Sequence, residues 1–272
     1  MAKILFIGAG NMGQAIIKGI IEKSVFKKED IYIYEINDKT KEKTVSVYGV
    51  NECKNLDLSI YDIEYIVFAV KPQIFFDFAC DEKTRNLKEL LNKNHIIISI
   101  MAGIKISAIE EYVGKDRKIF RIMPNTPALI GEGVSAIASN VSANDESLKT
   151  VENIFRSIGI IEILPEKSLD AVTALSGSGP AYVLMFIESL IQGGILCGLS
   201  KDISEKFALQ LVKGTAALID GSKAIEELRH MVTSPGGTTI EAVAALEKNG
   251  FRGIIMDAVR QAYNRAKELG GK

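Results

Sequence analysis

The chain has 272 residues, 47% hydrophobic and 25% charged, with a formal net charge of −1. That length allows one large or two modest domains, and the composition is that of an ordinary soluble globule. A charge near zero, with no basic run, no aromatic-basic interleaving and no zinc-finger spacing, leaves no electrostatic case for nucleic acid or an anionic membrane surface. Three scattered cysteines, Cys53, Cys80 and Cys197, form no metal spacing and cannot all pair, which fits a reducing compartment. The functional core begins at residue 3, leaving no room for a signal peptide, and no uninterrupted apolar stretch reads as long enough to span a bilayer. A cytoplasmic protein with no metal site is expected.

In chain order, Lys3-Ile4-Leu5-Phe6-Ile7 is a short apolar run typical of a buried parallel strand. It enters Gly8-Ala9-Gly10-Asn11-Met12-Gly13, and a helical pattern over 11–23 follows. Strand, glycine turn and helix in this order form the dinucleotide fingerprint. Gly8 allows the tight turn, Gly10 lets backbone approach a pyrophosphate, and Gly13 lets helix and strand pack closely. A second apolar run, Ile31 to Tyr34, ends in Glu35, about twenty residues on, where an acidic side chain can meet the adenosine ribose.

Further strands are expected at 64–70, 95–101, 117–123, 134–139 and 159–163, with helices at 38–48, 73–92, 105–113 and 144–157 between them. Such alternation predicts a mostly parallel, Rossmann-type α/β sheet. The strands at 117–123 and 134–139 have only a loop between them and are expected to pair antiparallel at the sheet edge. Runs that end strands sit where such a sheet places its ligand: Ala69-Val70-Lys71-Pro72, Ile100-Met101-Ala102 and Met123-Pro124-Asn125-Thr126-Pro127. Each is equally readable as an ordinary strand-to-helix turn.

After about residue 164 every segment reads helical: 166–176, 178–197, 201–220, 222–232, 238–249 and 251–269. The expected domains are therefore 1–163, Rossmann-type, and 164–272, all-helical. The helix at 178–197 is apolar on nearly all sides and needs cover that a domain of this size hardly supplies, so a partner chain is expected.

Ser234-Pro235-Gly236-Gly237-Thr238-Thr239 stands directly before the helix at 238–249. It presents backbone N–H groups and hydroxyls at a helix N-terminus, suited to a small carboxylate, although a simple Thr cap reads equally from the motif alone. His95 reads as a solvated strand end. His230, beside Arg229, reads either as a neighbour of the Ser234 turn or as a surface residue near a helix end. No Ser-His-Asp or Cys-His set can be assembled, which suits hydride transfer driven by a cofactor.

These motifs, with Arg121-Ile122-Met123-Pro124-Asn125-Thr126-Pro127, Ser176-Gly177-Ser178-Gly179-Pro180-Ala181-Tyr182 and Gly250-Phe251-Arg252, resemble pyrroline-5-carboxylate reductase over almost the whole chain. The resemblance implies a Rossmann-type domain followed by an all-α dimerisation domain that interlocks with a second protomer, with dimers that can assemble into rings. It implies NAD(P)H as cofactor and 1-pyrroline-5-carboxylate as the small-molecule substrate, in the last step of proline biosynthesis. Carried over, Gly8, Ala9, Gly10, Asn11, Met12 and Gly13 hold the pyrophosphate. Asn55, Ala69, Val70, Lys71 and Pro72 line the adenosine side, and Ile100, Met101 and Ala102 lie along the nicotinamide. Ser234, Gly236, Gly237, Thr238 and Thr239 take the substrate, the Thr239 hydroxyl meeting its ring nitrogen. The chain departs from the family at Met101, a bulkier residue expected beside the cofactor, and at Arg229-His230, where Lys-Asp is usual.

Relatives often accept both cofactors and frequently prefer NADPH, whereas Glu35 would repel a 2′-phosphate, with Lys39 the residue able to offset it. The expectation sides with Glu35 and NADH. Two other functions are open to the same motifs: another imine or hydroxyacid reductase, and a non-catalytic dinucleotide-binding module. The first commonly uses a lysine on a helix of the second domain, and none follows Ser176 until Lys201. The second would have no need of the Ser234 turn.

Overall fold

Apolar alternation builds the first half of the chain. The computed structural model describes residues 2–54, 62–80 and 87–270. Its first strands and helices are β1 (Lys3–Ile7), α1 (Asn11–Glu22), β2 (Ile31–Tyr34), α2 (Asp38–Tyr48), β3 (Asn51–Glu52) and β4 (Ile63–Phe68). Then come α3 (Pro72–Cys80), α4 (Leu87–Leu90), β5 (Ile96–Ser99), α5 (Ile106–Val113), β6 (Lys118–Met123), β7 (Gly133–Ser139), α6 (Asp145–Arg156) and β8 (Gly159–Ile163). Local chemistry sets several boundaries. The Asn37 side chain caps α2 by accepting from the Thr40 N–H at 3.0 Å, and Gly49, at φ 68°, ends that helix. A capping box between Asn144 and Ser147 opens α6.

The strands form one eight-stranded sheet in the order β3-β2-β1-β4-β5-β6-β7-β8. All neighbours are parallel except β6 and β7. Alternation along β1 sends Ile4 and Phe6 into one buried layer and Leu5 and Ile7 into the other. The expected antiparallel pair is present, but it is not the edge. β8 adds in parallel outside β7, with Gly133 opposite Gly159 and Ile137 opposite Ile163. Two-residue β3, pairing Tyr32 with Asn51, carries too little pattern to be read from sequence.

The segment after β8 differs from the plain helix expected at 166–176. It is a 3-10 turn (Glu166–Ser168), a short α7 (Leu169–Val172) and a π turn (Thr173–Gly177). It packs on the sheet, with Leu169 buried alongside Ala136 and Ala138. By its internal contacts the chain forms two compact units, one holding residues up to Ser178 together with 262–270, where Leu269 lies close to Gly103, and the other Gly179–Gln261.

The second unit, Gly179–Gln261, is helical: α8 (Gly179–Leu196), α9 (Lys201–Ala217), α10 (Ile225–Met231), α11 (Thr238–Lys248) and most of α12 (Phe251–Gly270). The helix expected at 222–232 begins only at Ile225. In the single protomer α8 is not covered, with Met185 70% and Leu196 88% exposed. The helical stretch Glu166–Leu196 is long and apolar enough, by length and composition only, to cross a bilayer, although Glu166, Lys167, Asp170 and Glu188 interrupt it.

Candidate functional site

The strand order reverses between β1 and β4, and in such sheets ligands bind beyond the carboxyl ends of the strands at that reversal. Register brings the ends together: Ile7 lies opposite Tyr34 on one side and Phe68 on the other, and Phe68 lies opposite Ser99. The fingerprint turn, Glu35, Ala69–Pro72 and Ile100–Ala102 therefore leave the sheet along one rim.

Each fingerprint glycine has a measurable reason. Gly8 has φ +95°, and a Cβ there would stand 2.7 Å from the Ala69 carbonyl oxygen. A Cβ on Gly13 would stand 2.9 Å from the Gly8 carbonyl oxygen, so a side chain would wedge α1 away from β1. In front of Gly10 a Cβ would meet nothing within 4 Å. That open space faces the start of α1, which has no side-chain cap and no acidic residue in its first turn. Uncapped N–H groups at the positive end of a helix suit a pyrophosphate, so these residues fit a dinucleotide. Gln14 braces the turn through a 2.7 Å hydrogen bond to the Ala9 carbonyl.

Glu35 holds the same turn from the neighbouring strand. Its Oε2 accepts from the Ala9 N–H at 2.8 Å and its Oε1 from the Asn37 N–H at 2.9 Å. Ala9 itself is fully buried, with its N–H taken by Glu35 and its carbonyl by Gln14, so its backbone braces the turn. On the next rim segment the Ala69 N–H donates to the Ile7 carbonyl at 2.9 Å, Val70 and Pro72 are half-buried, and Lys71 is exposed. Pro72 is the first residue of α3, a position that tolerates its missing N–H. Met101 departs from the expectation of a bulky residue beside the cofactor. Its side chain is 2% exposed within the buried layer that also holds Ile97 and Ile104, while Ile100 and Ala102 remain accessible at the rim. Asn55 lies outside the described residues.

In the second unit the Ser234 run forms a turn with Gly236 at φ +71° and a 3.2 Å bond from the Gly237 N–H to the Ser234 carbonyl. The N-cap of α11 is Gly237, which has no side chain to offer, so the simple Thr-cap reading does not hold. Thr238 and Thr239 are the first two residues of the helix, and neither hydroxyl bonds to a described residue. Arg229, His230, Thr233, Ser234, Pro235, Ile240 and Val243 line a cavity of about 300 Å³ beside this turn. His230 is thus a neighbour of the Ser234 turn. A larger cavity of about 600 Å³, lined by Lys18, Glu22, Ile130 and Arg156, touches none of the expected site residues.

Three residues outside the expected site have structural work. Arg121 is buried on β6 and reaches Glu166 at 3.0 Å and Asp170 at 3.6 Å, while Glu166 also accepts from the Ile106 N–H at 2.7 Å. Asn125 ties the Ser176 carbonyl at 3.1 Å to the Val134 N–H at 2.9 Å. His95 is not a solvated strand end: it is 4% exposed, and its Nδ1 accepts from the Asn92 N–H at 3.0 Å. Burial, and secondarily the Arg117 charge, holds its pKa below the ordinary histidine value.

Known proteins resemble the chain along its whole length. Residues 166–269 match the family described as pyrroline-5-carboxylate reductase dimerisation, and residues 3–103 the family described as NADP oxidoreductase, coenzyme F420-dependent. A pyrroline-5-carboxylate reductase of Synechocystis is 40% identical, the match covering 98% of this chain and 97% of that protein. One from Arabidopsis thaliana is 38% identical, covering 98% and 95%. The crystal structure of Plasmodium falciparum pyrroline carboxylate reductase with NADP bound matches at TM-score 0.87 and 37% identity, covering 99% of this chain and 98% of that one.

Proposed function

The chain belongs to the pyrroline-5-carboxylate reductase family, NAD(P)H-dependent oxidoreductases that form L-proline from 1-pyrroline-5-carboxylate, and from that premise we propose how its residues divide the work. Gly8 to Gly13 and the first turn of α1 hold the pyrophosphate. Ala69 to Pro72 flank the adenosine side, and Ile100 to Ala102 the nicotinamide. When bound, the reduced cofactor supplies the hydride. Backbone N–H groups around Gly236, Gly237 and Thr238, with the Ser234 hydroxyl, hold the substrate carboxylate. The Thr239 hydroxyl holds the ring nitrogen.

The protonated cyclic imine is already an electrophile, so the protein's task is orientation rather than strong acid catalysis. That demand matches a site with no assembled nucleophile-base set. The observation that carries this reading is the uncapped Ser234–Thr239 turn in the same chain as a glycine fingerprint with open space before Gly10. α8, Gly179–Leu196, contains no lysine, which weighs against a reductase that uses one there. The uncovered apolar face of α8 supports a homodimer, and the reading extends to rings of dimers and to a cytoplasmic location.

The test is direct. Purified full-length protein is mixed with 1-pyrroline-5-carboxylate and either NADH or NADPH, and proline is measured. Proline forms only when imine and reduced cofactor are both present. Folded protein that forms no proline with either cofactor overturns the reading.

A further inference from the structure

Resting on the cofactor site proposed above, we infer that Glu35 is a locked selectivity element that makes this chain prefer NADH to NADPH. The carboxylate is held at both oxygens, by the Ala9 N–H at 2.8 Å and the Asn37 N–H at 2.9 Å. Ala9 is fully buried with Glu35 in place, so a swing of Glu35 breaks the bond that satisfies this N–H in the folded turn. A glutamate on a strand end ordinarily evades an unwelcome anion by changing rotamer. Here that movement strips a buried donor of its partner, and the negative charge stays at the end of β2 beside the fingerprint turn.

Acceptor counting points the same way. A carboxylate offers about four lone-pair sites. Two are used by the Ala9 and Asn37 N–H groups. Two remain, and the adenosine ribose of NAD has two free hydroxyls to donate. NADP replaces one of those donors with a phosphate dianion, which both loses a hydrogen bond and meets a fixed like charge.

The nearby cations do not compensate. The Lys41 ammonium lies 2.8 Å from Asp38 and 3.3 Å from Glu52, and these two carboxylates raise its pKa and hold its charge. Lys39 is exposed and forms no ion pair with a described residue. A phosphate would have to recruit an exposed lysine such as Lys39 or Lys71, ordering it against solvent screening. The NADP held by the Plasmodium relative shows that such similar chains can take the phosphorylated cofactor. The selectivity inferred here resides in this chain's own Glu35 and its two locking bonds.

Calorimetric titration of full-length protein with NAD⁺ and NADP⁺ tests this without any turnover. NAD⁺ is expected to bind about tenfold tighter or more. Glu35→Gln removes the charge and halves the acceptor sites, and it is expected to tighten NADP⁺ several-fold while weakening NAD⁺. Thermal melting of Glu35→Gln is run alongside, and if that variant does not fold, the wild-type ratio decides alone. Equal binding of the two cofactors, or tighter NADP⁺, by the wild type overturns the inference. So does an unchanged ratio in folded Glu35→Gln. Tight NAD⁺ binding in protein that forms no proline would overturn the reaction assignment and leave this selectivity standing.

Discussion

Thr239 is half-buried in the first turn of α11, and its hydroxyl bonds to no described residue, so it is available to a ligand. Thr239→Val keeps the shape and removes the hydroxyl. It is expected to lower kcat/KM about ten- to a hundredfold, the equivalent of about 1.4–2.7 kcal/mol for one lost transition-state hydrogen bond. Cofactor affinity should hold, because the change is on the substrate side. Steady-state kinetics with a parallel cofactor titration check both halves, and an unchanged kcat/KM moves the ring-nitrogen role to Ser234 or Thr238. His95 offers a different test. Its folded pKa is depressed, first by burial and then by Arg117, so the unfolded chain takes up a proton that the folded chain resists. Stability is therefore complete above the unfolded value of 6.5 and declines as pH falls below it. Urea unfolding between about pH 7.5 and 5.5 should show this decline in the wild type and a flatter profile in His95→Gln. Parallel profiles would remove His95 as the source.

The segment after β8 shows why element type was easier to read than element placement. Its helical propensity over 166–176 is evident, but its broken 3-10, α and π geometry is set by what it must reach. Glu166 has to meet both Arg121 and the Ile106 N–H, and Leu169 has to fill the space against Ala136 and Ala138. Arg121 has a side chain only 5% exposed, whereas Glu166 and Asp170 are partly solvated at 31% and 18%. Arg121→Met would leave two acids near an apolar strand without their cation, at a cost of about 2–3 kcal/mol, below the fully buried range because water reaches both acids. A denaturant midpoint shift with an unchanged slope measures it, and no shift would show that the triad contributes nothing net.

Across the whole molecule, the match to a dimerisation family and the uncovered face of α8 address one physical problem. Val183, Leu184, Met185 and Leu196 are all at least half exposed in a single protomer, a surface too apolar to leave in water. These exposed apolar residues lie within the bilayer-compatible stretch Glu166–Leu196. Light scattering of the full-length chain at micromolar concentration should give at least a dimer. Met185→Glu should weaken that assembly by about tenfold or more, since a buried Met is worth about 1.5–3 kcal/mol and a carboxylate adds a desolvation cost. A monomeric wild type, or an unaffected variant, would place the interface elsewhere.

Residues close in sequence determined much of this protein before any fold was known. The glycine turn between β1 and α1, the Asn37 and Asn144 caps and the switch from alternating strands to continuous helices depend on neighbours a few positions apart. So does the Ser234–Thr239 turn, because turn chemistry and periodicity are local properties. What the tertiary structure decided was carried by distant partners. Glu35 is locked by an amide 26 residues away, and Arg121 meets an acid 45 residues away. His95 is buried by elements that sequence order does not place beside it, and Met101 turns into a core layer whose members lie on several strands and helices. Hydrogen bonds and burial depend on which segments the sheet order brings together, and that order, set by the packing of both faces at once, is written in no single stretch of the chain.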